Sequence, residues 1–417
     1  MPELIAFLAG SMILGTAFFS TFKLAGFTIF DVFALAYSLV MVCVLRSKPN
    51  QIIILQVPFW ISFALLGSFV ISGLQAKDLS EHLAKSAVLM IAYWNMFIFI
   101  YVLATSGLFS KEIIYSIFCL SGTMSSIVCI LQGQFGKYTY LFKTEALDLW
   151  DRFPGLAEHP VEAGILGAYT GFLALVKTID AKTLSAKCFW MVALVITLYS
   201  MKFSGSFTGM FTFAGAVGVM LVVRRAWVAL AVVAGLLMLL APIVSNPDFL
   251  GDSFMRERIN ALLSGGTNYE TVQTRSSQVS GAIDKMINHP LTLLFGFGYS
   301  YADLVSLQGL DIHNGIVSAY FHFGLLGLAT NIAIIVYLFR TLSFEDNRKD
   351  QSLVLGILLI FIGGYLTGPA FFRRAVWMLP LCCAAFARSE AVERKNEQAQ
   401  LLEEEAHDSE RVARIPQ

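Results

Sequence analysis

Two polar stretches of this chain carry the residue types that acid–base and phosphate chemistry need. In the later stretch, Asp311, His313 and Asn314 come directly before an apolar run that begins near Gly315. A histidine there lies near the positive end of a helix macrodipole, which favours the neutral imidazole. Because a neutral imidazole can accept a proton, His313 is a candidate general base. The alternative is that Asp311, His313 or Asn314 only caps the helix.

The earlier stretch carries an arginine that could bind phosphate. Arg152 opens an Arg-Phe-Pro-Gly motif at 152–155, and His159 follows shortly after it. An arginine at a membrane surface can hold phosphate through its planar fork of N–H donors. Arg275, in the later stretch, offers the same chemistry. The alternative is an interfacial arginine that snorkels, with Trp150 as its aromatic neighbour.

The sequence gives no support to metal or nucleic-acid chemistry. All six cysteines lie inside apolar runs, and none has the spacing of a zinc site. The formal net charge is zero, so no basic surface indicates nucleic-acid binding. We therefore predict a metal-independent protein with no cofactor and no nucleic-acid partner.

Four other polar features are predicted to have no chemical role. The Gly-Phe-Gly segment at 296–298 resembles a phosphate loop only superficially, because no strand–helix–strand context surrounds it. His322 falls inside an apolar run and is expected to be a packed or hydrogen-bonded core residue. Asp31 and Glu162 fall near the ends of apolar runs and are expected at the membrane interface.

Most of the chain is apolar and carries little charge. Apolar segments must therefore hold the candidate catalytic and phosphate-binding residues in place. Of 417 residues, 57 % are hydrophobic and 14 % are charged, whereas soluble domains carry about 25 % charged residues. About twelve apolar runs follow one another from Leu4 to Ala387. A run of about 20 residues spans the hydrocarbon core as a helix. We therefore predict an all-α polytopic membrane protein with about 12 transmembrane helices.

The runs divide the chain into four parts. Residues 1–244 form transmembrane helices 1–9, of which the ninth covers 226–244. Residues 245–312 form a long extracytoplasmic loop between helices 9 and 10 that carries part of the active site. Residues 313–388 form helices 10–12. Residues 389–417 form a polar cytoplasmic tail, which is either a solvated helix or a disordered end.

The orientation follows from the lysines and arginines of the short loops. Arg46, Lys111 and Lys182 fall on one side of the predicted membrane, which the positive-inside rule assigns to the cytoplasm. An even number of spans then places both termini in the cytoplasm. Arg373 and Arg374 break the rule, because this topology places them outside. Either they bind something there, or the last two spans are drawn wrongly.

Taken together, the two polar stretches resemble those of the O-antigen ligase and polysaccharide polymerase superfamily. The motif at 152–155, followed by His159 and Pro160, resembles the family's Arg-x-x-Gly…(Asn/His)-Pro element. The later stretch resembles the family's second block, ahead of a Gly-Leu-Leu-Gly helix, in the elements Thr274-Arg275, His289-Pro290, Gly296-Phe297-Gly298 and His313-Asn314. A long outer loop before a late helix also matches the family.

The resemblance implies glycosyl transfer on the outer face of the bacterial cytoplasmic (inner) membrane. The donor would be an undecaprenyl-diphosphate-linked glycan. The acceptor would be lipid A-core in a ligase, or another lipid-linked glycan in a polymerase. Ligase-type members often carry Ser-Arg in the stretch that corresponds to 206–209, where this chain has no arginine, so both activities stay open. Membrane lipids and polysaccharide assembly proteins are the other expected partners.

The resemblance also implies a role for three residues. In that family an arginine of each block holds the diphosphate, which falls on Arg152 and Arg275 here, and the histidine of the His-Asn element activates the acceptor, which falls on His313. A lipid diphosphate is a good leaving group, so two arginines and one base suffice, and a single displacement would invert the anomeric centre. The secondary candidates are His159, His289 and Asn314.

A secondary transporter or flippase of a polysaccharide precursor is the main alternative, since twelve spans suit one. Transporters place ionisable residues at the bilayer midplane and use broken helices. Here Arg152, Arg275 and His313 are predicted at the outer surface, which favours an enzyme. A non-catalytic assembly subunit is a third interpretation, and it would need neither the arginines nor the histidine.

Overall fold

The fold is almost entirely helical. The structure is a computed structural model. It describes residues 2–20, 23–24, 26–45, 56–136, 152–228, 270–298, 312–342, 348–367 and 373–413. Within these ranges the only strands are an antiparallel pair, β1 (Lys23–Leu24) and β2 (Phe27–Thr28).

Thirteen α-helices lie within the described residues. They are α1 (Pro2–Gly15), α2 (Ile29–Leu45), α3 (Gln56–Ser72), α4 (Leu79–Thr105), α5 (Lys111–Phe135), α6 (Pro160–Asp180), α7 (Leu184–Ser204), α8 (Phe207–Val223), α9 (Glu270–Asn288), α10 (Pro290–Phe295), α11 (Gly315–Leu342), α12 (Arg348–Thr367) and α13 (Arg374–Ala413). Two 3₁₀ turns, Thr16–Phe18 and Gly73–Gln75, extend α1 and α3.

Six of the described helices are long and apolar enough to cross a membrane: α4, α5, α7, α11, α12 and the part of α13 up to Leu402. Four shorter apolar helices accompany them, at Pro2–Phe18, Ile29–Met41, Phe63–Gln75 and Phe207–Val223. Helices suit a bilayer because they satisfy their backbone polar groups internally. The prediction of an all-α, membrane-embedded protein is confirmed at this level.

The number of twelve spans and the extent of the long loop stay predictions. Almost all of the predicted ninth span, 226–244, lies outside the described residues, as does the chain from there to 269. The later part of the predicted loop, 245–312, contains the helices α9 and α10. The predicted boundary at 388 falls within α13, which continues to Ala413, so the described part of the tail is helical.

Helix α6 lies at the centre of the bundle, directly after the first polar stretch. Most of its residues are buried, and it packs against α5, α7, α8 and α12. A helix that is apolar on all sides belongs in an interior. Gly164 lets α6 approach α8 closely, because a Cβ at this position would overlap the side chain of Ser206. Small residues allow such close contacts between membrane helices.

Helix α11 is broken at Gly324, although the sequence predicts a continuous apolar helix there. Gly324 has φ +63° and ψ −160°, and a Cβ would overlap the carbonyl group of Leu294. The break leaves two carbonyl groups of α11 without helical donors. The backbone N–H groups of Phe297 and Gly298 donate to them, to Phe321 O at 2.8 Å and to His322 O at 2.9 Å. The segment 296–298 therefore completes the backbone hydrogen bonding of the broken helix.

Candidate polar site

Several helices begin or end together at one end of the bundle, which we call the site end. There α6, α8, α11 and α13 begin and α7 and α12 end. Thr367 Oγ1 donates to Thr208 Oγ1 at 2.9 Å, which joins α12 to α8. The Tyr365 hydroxyl donates to Gly315 O at 3.2 Å, which joins α12 to the start of α11. Both polar segments predicted to carry chemistry reach this end.

Arg152 is buried at the site end. Its side chain is 8 % exposed. Its Nε donates to Ser204 O at 2.9 Å and its Nη2 to Gly205 O at 3.4 Å. These carbonyl groups lie at the C-terminal end of α7, where the helix macrodipole favours a positive charge. The alternative of a snorkelling, interfacial Arg152 is therefore wrong for this structure.

Gly155 fixes the segment that carries Arg152 against α5. Its N–H donates to Gln132 Oε1 at 2.9 Å, and Gln132 Nε2 donates back to Gly155 O at 3.1 Å. Gly155 has φ +65°, and a Cβ would overlap Ser125 O, so only glycine suits this position. The Arg-Phe-Pro-Gly motif thus has a structural reason for its spacing. The glycine turn pins the segment, and the arginine is held at a fixed place.

His159 caps α6. The Val161 N–H donates to His159 Nδ1 at 3.1 Å, and Pro160 occupies the first helical turn, where its missing N–H costs nothing. A histidine that accepts at Nδ1 is neutral and carries its proton on Nε2. This secondary candidate therefore has a structural role in the described site.

Asn314 caps α11. Its Oδ1 accepts from the N–H groups of Ile316 and Val317, both at 3.0 Å. Of the three residues in the capping alternative, Asn314 therefore supplies the cap. His313 precedes it and is half-buried. Asp311 lies outside the described residues.

The remaining predicted residues lie on α9 and at the start of α10. Arg275 belongs to α9, but its side chain lies outside the described part of the structure. Whether it approaches Arg152 stays a prediction. His289 precedes α10 without a side-chain capping bond, and its ring packs edge-on against Phe297, with ring centroids 5.9 Å apart.

A charged cluster at the site end was missed by the sequence reasoning. It consists of Asp31, Glu158, Glu162, Arg373 and Arg374. Arg374 forms an ion pair with Asp31, and Arg373 Nη1 lies 2.7 Å from Glu158 Oε2 and 3.9 Å from Glu162 Oε2. Asp31 and Glu162 are each 3 % exposed and lie in the first turns of α2 and α6, so they are buried among protein atoms at the helix ends.

The cluster accounts for the two arginines that break the positive-inside rule. Arg373 and Arg374 are held by acidic residues of other segments. The sequence did carry a signal for this. The two arginines are adjacent and misplaced for the rule, while acidic residues stand near the starts of two other apolar runs, at Asp31 and Glu162. The sequence does not show which arginine pairs with which carboxylate, because the partners lie far apart in the chain.

Two buried histidines surround the Gly-Phe-Gly segment. His322 Nδ1 donates to Gly298 O at 2.9 Å, and His82 Nε2 donates to Phe69 O at 2.9 Å. His322 is thus a hydrogen-bonded core residue, as predicted. The N–H groups of Phe297 and Gly298 are bonded to carbonyl groups of α11, so they do not form a phosphate loop.

The arrangement provides a buried guanidinium, a histidine beside a capped helix start, and a mixed cluster of carboxylates and guanidinium groups. These groups can bind hydroxyl groups and anions and move a proton. Within the described residues, no three His, Cys, Asp or Glu side chains come together as a metal site would require. Comparison of the chain with protein-family models and with curated proteins finds no match.

Proposed function

We propose that this protein is a glycosyltransferase of the bacterial inner membrane, of the O-antigen ligase or polysaccharide polymerase type. It transfers a glycan from an undecaprenyl-diphosphate-linked donor to a lipid-linked or lipid A-core acceptor. Arg152 and Arg275 hold the diphosphate, and His313 removes the proton from the attacking hydroxyl group. One displacement inverts the anomeric centre, and no metal takes part.

The observation that carries this proposal is the cap of α11. A histidine before a helix is most simply explained as a cap. Here the Asn314 side chain accepts from two first-turn N–H groups, so the cap is supplied by the next residue. Capping therefore does not account for His313, and a general base beside the positive end of a helix is a role that its chemistry suits.

The position of Arg152 gives further support. A buried guanidinium that is held by two carbonyl groups does not have to reorganise when charge develops on a leaving group. Preorganised positive charge of this kind is often the largest single contribution to catalysis. The pinned turn at Gly155 holds the backbone that carries it.

We also propose that the site end faces the outside and that both termini are cytoplasmic. Lys177, Arg224 and Lys349 lie together at the opposite end of the bundle, as the positive-inside rule requires of a cytoplasmic face. A single cysteine placed at Asn268, in the predicted outer loop, should react with a membrane-impermeant reagent in intact spheroplasts, and one at Lys182 should not. The reverse pattern would overturn the orientation and the site with it.

The activity itself is tested with purified protein in detergent. The donor is a defined undecaprenyl-diphosphate-linked glycan, and the acceptors, offered separately, are lipid A-core and a second lipid-linked glycan. Product on the first acceptor identifies a ligase, and product on the second identifies a polymerase. No product on either acceptor, with folded protein and the donor of the native host, contradicts the proposal.

One observation favours the transporter alternative. Helix α11 is broken at Gly324, and broken helices form the substrate sites of many transporters. However, the carbonyl groups exposed by this break already accept hydrogen bonds from Phe297 and Gly298, so they are not presented to a substrate. Movement of a fluorescent lipid-diphosphate glycan across proteoliposomes, without transfer, would support this alternative.

A further inference from the structure

Four of the five residues of the charged cluster, all except Asp31, line a small cavity. The cavity has a volume of about 50 Å³. Its polar lining comes from Ser20, Thr28, Glu158, Glu162, Arg373 and Arg374. One buried water needs roughly 10–15 Å³ of such space. The cavity therefore admits a few water-sized groups and no complete glycan.

The polar atoms of the cavity are held in place by hydrogen bonds, some between distant segments and some within one turn. The Ser20 hydroxyl donates to Glu162 Oε2 at 3.2 Å and accepts from the Glu158 N–H at 2.9 Å. Thr28 donates to Asp31 Oδ2 through both its N–H and its hydroxyl group, each at 2.8 Å. Groups fixed in this way can recognise a ligand without first becoming ordered.

The charges of the cluster select the class of ligand. Two carboxylates and two guanidinium groups line the cavity, so their formal charges balance, and both arginines are already ion-paired. A phosphate or a uronic acid would meet guanidinium groups whose charge is already balanced by carboxylates. A hydroxyl group suits the cluster, because it donates to a carboxylate and accepts from a guanidinium N–H. The amine of an amino sugar suits it equally.

The cluster is connected to both predicted catalytic segments, directly along the chain to the first and through packed side chains to the second. Glu158 follows the pinned turn that begins at Arg152. On the other side, Trp377 of α13 packs against Tyr365, with ring centroids 5.4 Å apart, and the Tyr365 hydroxyl reaches Gly315 at the start of α11. The cluster therefore lies at the same end of the bundle as both segments.

We propose that the charged cluster is a sugar-recognition subsite for the hydroxyl or amino groups of one neutral or amino sugar. This inference rests on the proposed glycosyl transfer. The sugar belongs either to the lipid-linked donor or to the acceptor, and both would offer the same chemistry. Arg373 and Arg374 thus shape a polyol site and do not hold the diphosphate.

The test uses two conservative variants, Glu162→Gln and Ser20→Ala, in the full-length protein. Glu162→Gln keeps the size of the side chain and removes its charge, and Ser20→Ala removes the bridging hydroxyl group. Loss of a hydrogen bond to a charged group corresponds to about a 10- to 100-fold change in affinity. We expect KM to rise by this factor for one substrate, with kcat close to the wild-type value. The substrate whose KM rises identifies the source of the sugar.

Glu112→Gln is the matched control, because Glu112 is a paired carboxylate at the opposite end of the bundle. It should leave both KM values unchanged. If Glu162→Gln does not fold, Ser20→Ala decides alone. An unchanged KM for both substrates in the folded variants overturns the subsite, as does an equal rise in the Glu112→Gln control.

A second measurement separates the subsite from the proposed function. Glucose, glucosamine and glucuronate are added singly to purified protein, and the midpoint of thermal unfolding is followed. Glucose or glucosamine should raise the midpoint of the wild type and not of Glu162→Gln, and glucuronate should raise neither. If this pattern holds while no transfer is found, the glycosyl transfer fails and the subsite stands. Equal protection by glucuronate overturns the subsite even in an active enzyme.

Discussion

Two charged pairs, one at each end of the helical bundle, differ in how far they are exposed to solvent. At the site end the Asp31 side chain is 2 % exposed and its partner Arg374 is 14 % exposed. The opposite end carries Lys177, Asp180, Arg224, Lys349 and Glu112. There Glu112, the partner of Lys177, is 77 % exposed. The pair of Asp31 and Arg374 is thus far more buried than the pair of Glu112 and Lys177. The pairs Arg373–Glu158 and Arg224–Asp180 have similar exposure at the two ends.

The difference shows which charges need a functional explanation. An exposed ion pair contributes about 0–1 kcal/mol and satisfies the positive-inside rule at little cost. A buried pair must first lose its hydration, so it is weak evidence for stability. The buried pair of Asp31 and Arg374 therefore calls for an explanation other than stability, whereas the pair of Lys177 and Glu112 does not.

The largest expected effect is at His313. His313→Ala should lower transfer by about 100- to 10,000-fold, because a general base typically contributes this much. Binding of the lipid-linked donor should change little, since the imidazole acts on the acceptor. The measurement is turnover by purified protein, normalised to folded protein.

His407→Ala, in the polar C-terminal segment, is the control for this variant and should behave as the wild type. Turnover close to the wild-type value in His313→Ala would remove the base from the mechanism. The charged residues of the site end would then have a structural role only, as we expect for those of the opposite end.

The next effect is at the two arginines. Arg152→Lys and Arg275→Lys should each lower transfer by about 100- to 1,000-fold, because lysine keeps the charge but loses the fork of donors. The exposed Arg340 lies near the far end of α11, and Arg340→Lys should leave activity unchanged. Full activity of both lysine variants would show that neither arginine holds the diphosphate through its fork of donors.

The buried pair should affect stability more than any pair at the opposite end. Arg374→Met leaves the Asp31 carboxylate buried without its partner, which should cost about 3–5 kcal/mol of unfolding free energy. Adding Asp31→Asn removes the uncompensated charge and should restore much of the loss. Denaturant unfolding in detergent measures both. A loss below 1 kcal/mol in the single variant would contradict the difference between the ends.

The smallest effect is expected at the exposed pair. Glu112→Gln should lower the unfolding free energy by less than about 1 kcal/mol, and added salt should reduce the difference further. The same denaturant experiment measures it. A loss as large as that of Arg374→Met would mean that burial does not distinguish the two ends.

The sequence alone determined the class of the protein and the local features of its helices. Long apolar runs with little charge have no stable alternative to membrane helices, because the backbone must be satisfied internally. The start of α11 near Asn314 and the hydrogen-bonded state of His322 were also predicted, since short-range patterns specify them. The roles of Arg152, Arg275 and His313 stay predictions that rest on the resemblance.

Only the tertiary structure decided how distant residues meet. Asp31 and Arg374 are separated by 343 positions, and no local pattern pairs them. The break at Gly324 looks like an ordinary glycine in an apolar helix until the segment 296–298 is seen to supply its hydrogen bonds. From the sequence, Arg152 could be an interfacial residue, because nothing in the sequence marks its partner. That partner is the backbone carbonyl group of Ser204 at the end of α7, and every residue has such a group. Burial and pairing depend on what packs nearby, and local residue spacing does not contain that information.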